Sequence, residues 1–130
     1  MCRSLDLHGH LANLPTVTTA TVAPMDRATR LHYQSRAQIL KALAHPTRLF
    51  IVDELGRRER CVCDLTEMVG ADVSTVSKHL TVLKQAGIVA DDKRGTQVFY
   101  SLRVPCVLRW CSCVEGVLRN DARARALAAG

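Results

Sequence analysis

The sequence predicts one mostly helical domain with a small β-hairpin, an α+β chain, on three observations. Apolar residues recur at three- and four-residue spacing in several segments between residues 31 and 119. Near residues 88–102 the period changes to that of strands around a glycine turn. The chain has 130 residues, 48 % apolar and 23 % charged, which is enough for one core and too few for a second full domain. Aromatic residues are only 4 %, so that core is built mainly from Leu, Val, Ala and Ile.

Residues 1–30 stand apart. Thr16-Val17-Thr18-Thr19-Ala20-Thr21-Val22-Ala23, bracketed by Pro15 and Pro24, has no helical period and predicts a flexible arm. Met25 would serve as a start of its own, in which case the first 24 residues are a start-site artefact. The folded domain is expected over residues 31–120. Leu31, Ser35, Ile39, Leu40, Leu43 and Ala44 mark a first helix. Pro46 opens a second, which Gly56 is expected to stop, and Arg57-Arg58-Glu59-Arg60 reads as a solvated turn. Cys61 to Val69 reads as a short helix with Leu65, Met68 and Val69 inward and Gly70 at its end. Residues 72–86 form the clearest helix, capped by Asp72 or Ser74, with Val73, Val76, Leu80 and Leu83 inward and Gly87 as the stop. Strands at residues 88–90 and 96–102 flank the turn Asp91-Asp92-Lys93-Arg94-Gly95. A last helix is expected over residues 105–119, followed by a disordered tail at 121–130.

Charge narrows the function. Eighteen Lys and Arg against twelve Asp and Glu give +6, which points to an anionic partner, nucleic acid first. No apolar run approaches the roughly 18 residues of a membrane span, and the first residues lack a secretory signal, so a cytoplasmic protein is expected. In a reducing compartment six cysteines point to metal or thiol chemistry. A thiol enzyme would need an oxyanion cradle and a parallel βαβ pattern, and neither is found; no organic cofactor is expected. A zinc-stabilised module would need paired Cys-x₂₋₄-Cys knuckles, and this chain has Cys-x-Cys twice.

A short helix, a glycine turn and a second helix with a polar outer face make a helix-turn-helix, and the basic hairpin makes it winged. A major groove about 12 Å wide admits one helix whose outer side chains are short enough to approach base edges. Ser74, Thr75, Ser77, Lys78 and His79 meet that need, while Lys93 and Arg94 on the hairpin would meet phosphates or a minor groove.

The runs Ala42-Leu43-Ala44-His45-Pro46-Thr47-Arg48-Leu49, Cys61-Val62-Cys63-Asp64-Leu65, Ser74-Thr75-Val76-Ser77-Lys78-His79-Leu80 and Leu83-Lys84-Gln85-Ala86-Gly87-Ile88-Val89 resemble the ArsR family, the arsenic-repressor winged-helix metal sensors of bacteria. The resemblance covers about residues 33–120. It implies a homodimer joined through the first and last helices, seated on palindromic operator DNA and released by a thiophilic ligand. Arsenite or antimonite is implied first. Cd(II), Zn(II) or Pb(II) is the alternative, as is a thiol-redox response on the same fold.

Cys61-Val62-Cys63-Asp64 matches the family's thiolate motif, but the third cysteine of its arsenic sensors is replaced here by Thr66. The missing donor would come from the arm, through Cys2, His8 or His10, or from Cys106, Cys111 and Cys113 of the last helix. Cys106 and Cys113 lie about 10.5 Å apart along a regular helix and Cys111 and Cys113 on opposite faces, so those three do not converge within one helix. Each is also a good packing residue. Asp64 is a weaker ligand candidate, since a carboxylate is favoured at a helix start anyway. A disulfide switch is the competing use of these thiols. The spacing of Cys61 and Cys63 is awkward for a strain-free bridge, which favours a pair between the last helices of a dimer. His45 is expected to pack, and His79 to contact phosphate or base. A ligand that pulls the thiol-bearing helix would tilt the two reading helices relative to half-sites about 34 Å apart.

Overall fold

The structure is a computed structural model and describes residues 23–130. Five helices and three strands follow in the order α1 (Arg27–Leu43), α2 (Pro46–Arg57), β1 (Arg60–Cys61), α3 (Val62–Val69), α4 (Val73–Gln85), β2 (Val89–Arg94), β3 (Gln97–Leu102) and α5 (Cys106–Ala129). The strands form one antiparallel sheet in the order β1-β3-β2. Cys2, His8, His10 and most of the expected arm lie outside the described residues.

Local chemistry explains most boundaries. Asp26 caps α1 by accepting a hydrogen bond from the Thr29 N–H at 2.7 Å, so the helix starts at Arg27, inside the stretch expected to be arm. Pro46 occupies the first position of α2, and the His45 ring accepts from the Thr47 N–H at 3.1 Å. Contrary to the sequence expectation, Gly56 does not stop α2. The helix continues through Arg57, and the missing side chain serves packing instead: a Cβ there would lie 2.6 Å from the Leu108 Cδ1 of α5. Gly70 ends α3 in the left-handed region at φ 70°, and Gly95 turns the hairpin at φ 62°.

Three further expectations are corrected. Arg60 is not part of a solvated turn. It begins β1, paired with Tyr100 of β3, and its guanidinium donates to the buried Glu54 carboxylate at 2.7 Å. A two-residue strand has no period of its own, so only its partner reveals it. The hairpin turn is shorter than expected, because Asp91–Arg94 pair with Gln97–Tyr100 and only Gly95 and Thr96 remain between the strands. Helix α5 runs on through residue 129, where a disordered tail was expected. Its end is built from Ala, Arg and Leu, all good helix formers.

The core lies where α1, α2, α3, α4 and the sheet meet. Leu43, Ile51, Val52, Leu65, Val76, Leu80, Leu83 and Ile88 are buried there almost completely. Each such side chain contributes about 1.5–3 kcal/mol by leaving water. Met68 and Val73, expected inward, are exposed, Val73 at 58 %. Helix α1 buries only Ala42 and Leu43, and no residue of α5 is fully buried. Among the described residues no helix is long and apolar enough to cross a membrane.

Candidate nucleic-acid interface and thiol site

Helix α4 is positioned by its cap and its buried stripe. The Asp72 carboxylate accepts from the Thr75 N–H at 3.0 Å, from the Thr75 hydroxyl at 2.7 Å and from the Ser74 hydroxyl. The Ser74 hydroxyl above all, then Thr75, holds this carboxyl far below the usual carboxylate range. Val76, Leu80 and Leu83 anchor the inner face. Ser74, Lys78 and Thr81 are exposed, and Thr75 and Ser77 are half-buried. The far end is tied to the hairpin by Lys84, whose ammonium lies 2.8 Å from the Asp91 carboxylate. That contact raises the Lys84 pKa and lowers the Asp91 pKa.

Two residues expected at DNA are engaged elsewhere. His79 is half-buried, with its ring 4.3 Å from that of His45 and its Nδ1 3.5 Å from an Arg48 guanidinium nitrogen. Burial, then the neighbouring His45 and Arg48, push its pKa below the ordinary histidine value. Arg94 makes a two-pronged contact with Glu59 at 2.6 and 3.0 Å, meets Asp92 at 2.8 Å and stacks over the Phe99 ring. Glu59, 35 residues away in sequence, is therefore part of the hairpin's electrostatics. Lys93 beside it is exposed.

The thiols occupy the joint between sheet and helix. Cys61 ends β1 opposite Phe99, is 5 % exposed, and caps α3 by accepting from the Asp64 N–H at 3.1 Å. Cys63 lies in the first turn of α3 and is exposed. The two sulfurs are joined as a disulfide across Cα atoms 5.3 Å apart. This corrects the expectation that a bridge would form elsewhere. Cys61 leaves the strand extended and Cys63 enters the helix, so the chain turns between them and brings the sulfurs together. A carboxylate oxygen of Asp64 and both sulfurs all lie within 4.8 Å of one another. As thiols, the pair beside one carboxylate is a soft, anionic donor set; as a disulfide it is not.

A groove of about 380 Å³ contains this site. Its walls are Cys61, Val62 and Cys63, Val73 and Ser77 of α4, and Thr96, Gln97 and Val98 of the hairpin. Sequence reading missed Val73, Thr96, Gln97 and Val98, which reach the thiols only through tertiary folding. The last-helix cysteines do not join them. Among the described residues the only such group of three potential ligands is Cys61, Cys63 and Asp64. Cys106 and Cys113 are exposed. Cys111 is half-buried, and burial, with Asp53 nearby, raises its pKa. Helix α5 begins at Cys106, so Cys106 and Cys113 share one regular helix and stay apart.

Residues 45–91 match the family described as bacterial regulatory protein, arsR family. The HTH-type transcriptional regulator Rv0081 of Mycobacterium tuberculosis is 36 % identical over 87 residues, which span 66 % of this chain and 76 % of that protein. The arsenical resistance operon repressor of Escherichia coli is 37 % identical over 101 residues, covering 66 % of this chain and 84 % of its own. The homodimeric winged helix-turn-helix DNA-binding domain Mb0332 of Mycobacterium bovis, a possible ArsR-family transcriptional regulator, superposes with a TM-score of 0.66 at 28 % identity. That match covers 78 % of this chain and 94 % of the domain.

Proposed function

The chain belongs to the arsR family of bacterial regulatory proteins, and from that premise we propose that it is a homodimeric repressor that leaves its operator when a thiophilic ligand binds Cys61 and Cys63. One juxtaposition carries the reading. The groove that holds both sulfurs is also walled by the first turns of α4 and by the hairpin strand β3. Any ligand on the thiols therefore presses on, or draws in, the two elements that meet DNA.

In this reading Ser74, Thr75, Ser77 and Lys78 face base edges and Lys93 meets phosphate. Thr75 and Ser77 reach the groove by their exposed edges, and the hydroxyls of Ser74 and Thr75 exchange Asp72 for DNA. His79 and Arg94 serve chiefly to brace α4 and the hairpin. The dimer forms through α1 and α5, whose Ile39, Leu40, Trp110, Val114, Val117 and Leu118 are exposed in the single chain. Reduced Cys61 and Cys63 would hold a soft ion by donating thiolate lone pairs to it, and Cys106, Cys111, Cys113 or Cys2 would complete the set from the partner or the arm. Arsenite or antimonite fits the pair of thiolates and the named Escherichia coli relative. The Asp64 oxygen beside the sulfurs favours a second reading, a divalent ion such as Cd(II), Zn(II) or Pb(II).

Operator release under reducing conditions tests both. Arsenite, antimonite, Cd(II) and Zn(II) are added to the protein on promoter DNA, with wild type beside Cys61→Ser, Cys113→Ser and a chain beginning at Met25. Release by at least one ion, lost in Cys61→Ser, is expected. Retention of DNA with all four defeats the reading.

A further inference from the structure

We propose that Cys61 and Cys63 are a two-electron thiol–disulfide switch that disarms the ligand site, so that the oxidised repressor stays on DNA and ignores thiophilic ions. The inference deepens the ligand-release reading and rests on it for its regulatory consequence. The bridge is carried by the geometry at the β1–α3 joint. The sulfurs that lie within 4.8 Å of the Asp64 oxygen are the same two that are bonded to each other. A sulfur in a disulfide has no thiolate lone pair to give a metal, so the two states exclude one another.

The environments of the two sulfurs assign their parts. Cys63 is exposed and open to a small oxidant, whereas Cys61 is buried and held by the Asp64 N–H. With hydrogen peroxide as oxidant, the Cys63 thiolate attacks one peroxide oxygen and the O–O bond breaks. The leaving oxygen departs with a proton as water, and Cys63 becomes a sulfenic acid. The Cys61 sulfur then attacks Cys63, the S–S bond forms, the S–O bond breaks and a second water leaves. Two thiols lose two protons and two electrons, and hydrogen peroxide takes them up to become two waters. A dithiol reductant reverses the change through a mixed disulfide.

The bridge spans residues two apart and is compatible with an intact joint. Here Cys61 still pairs with Phe99 and still caps α3, and the Asp72 cap of α4 is intact. Oxidation is thus expected to remove the donors while α4 keeps its place. The other three cysteines of the described chain lie on α5 and are free thiols.

The test uses the full chain, reduced and metal-free, treated with one equivalent of hydrogen peroxide, alkylated and digested with trypsin. Cleavage after Arg60 and Lys78 isolates Cys61 and Cys63 in one peptide with no other cysteine. That peptide is expected to lose the mass of two hydrogens and to resist alkylation until dithiothreitol is added. Cd(II) uptake at this pair should weaken at least ~100-fold on oxidation and return on reduction. Cd(II) bound beforehand should protect the peptide from peroxide. On promoter DNA, the oxidised protein should remain bound at Cd(II) levels that release the reduced one. Bridges found only between α5 cysteines, an unprotected peptide in the Cd(II)-loaded protein, or release of DNA by oxidation alone would each overturn the switch. If the reduced protein takes up no Cd(II), arsenite or antimonite, the ligand-release reading fails instead, and with it the switch's regulatory role, while the peptide map still decides the bridge.

Discussion

At the scale of single residues, Glu54 is the charged group buried in the core of the described chain. Its side chain is 7 % exposed and depends on Arg60, itself only 13 % exposed, with Arg57 more distant at 3.5 Å. Arg60→Met would leave a buried carboxylate almost alone, and a loss of about 3 kcal/mol in unfolding free energy is expected from urea titration. His79 sets a pH dependence. Its folded pKa lies below the unfolded value of 6.5, so the unfolded chain takes up the proton more readily as pH falls. Stability should be level above about pH 6.5 and decline below it toward the folded pKa, and His79→Gln should flatten that limb in melting curves. Sequence legibility at this scale followed range. The Asp72 cap and the turns at Gly70 and Gly95 were readable because their partners are within a few residues. The inward turn of His79 toward Arg48, and the grip of Glu59 on Arg94, were not, since those partners lie 31 and 35 residues away.

At the scale of elements, the helices were legible from their period and the hairpin from its glycine, but junctions were not. Strand β1 exists only because Arg60 and Cys61 find Tyr100 and Phe99 across the sheet. That pairing moves Cys61 from a helix into a strand end and so shapes the thiol site. Gly56 shows the opposite ambiguity. A glycine near a helix end serves as a stop or as a place of close approach, and one sequence does not distinguish the two. Here α5 sits against α2 with Leu108 directly over Gly56. Gly56→Val should force the helices apart and lower stability by about 1–3 kcal/mol, measured by thermal unfolding at fixed protein concentration. The effect should shrink in Gly56→Val combined with Leu108→Ala, because the cavity then receives the new side chain.

At the scale of the whole molecule, the single chain leaves an apolar face uncovered. An apolar cleft of about 570 Å³, lined by Leu49, Phe50, Trp110, Val114 and Leu118 among others, opens between α2 and α5. The sequence predicts the last helix but not the division of labour between its apolar residues. Val107 and Leu108 pack on the chain's own core, while Val114 and Leu118 look outward, and burial within a chain or between chains leaves the same pattern. Leu118→Asp should yield monomers by light scattering and weaken operator binding at least ~100-fold, because two linked reading helices become one. The tie between Glu59 and Arg94 has a consequence for how the proposed dimer would meet DNA. A phosphate would win that guanidinium only by evicting a carboxylate, so the tip of the hairpin would release fewer condensed counterions from DNA than its basic residues imply. Affinity should therefore fall with rising ionic strength less steeply than a count of Lys and Arg suggests, and Glu59→Gln should steepen the logarithmic slope by about 1 for each hairpin engaged.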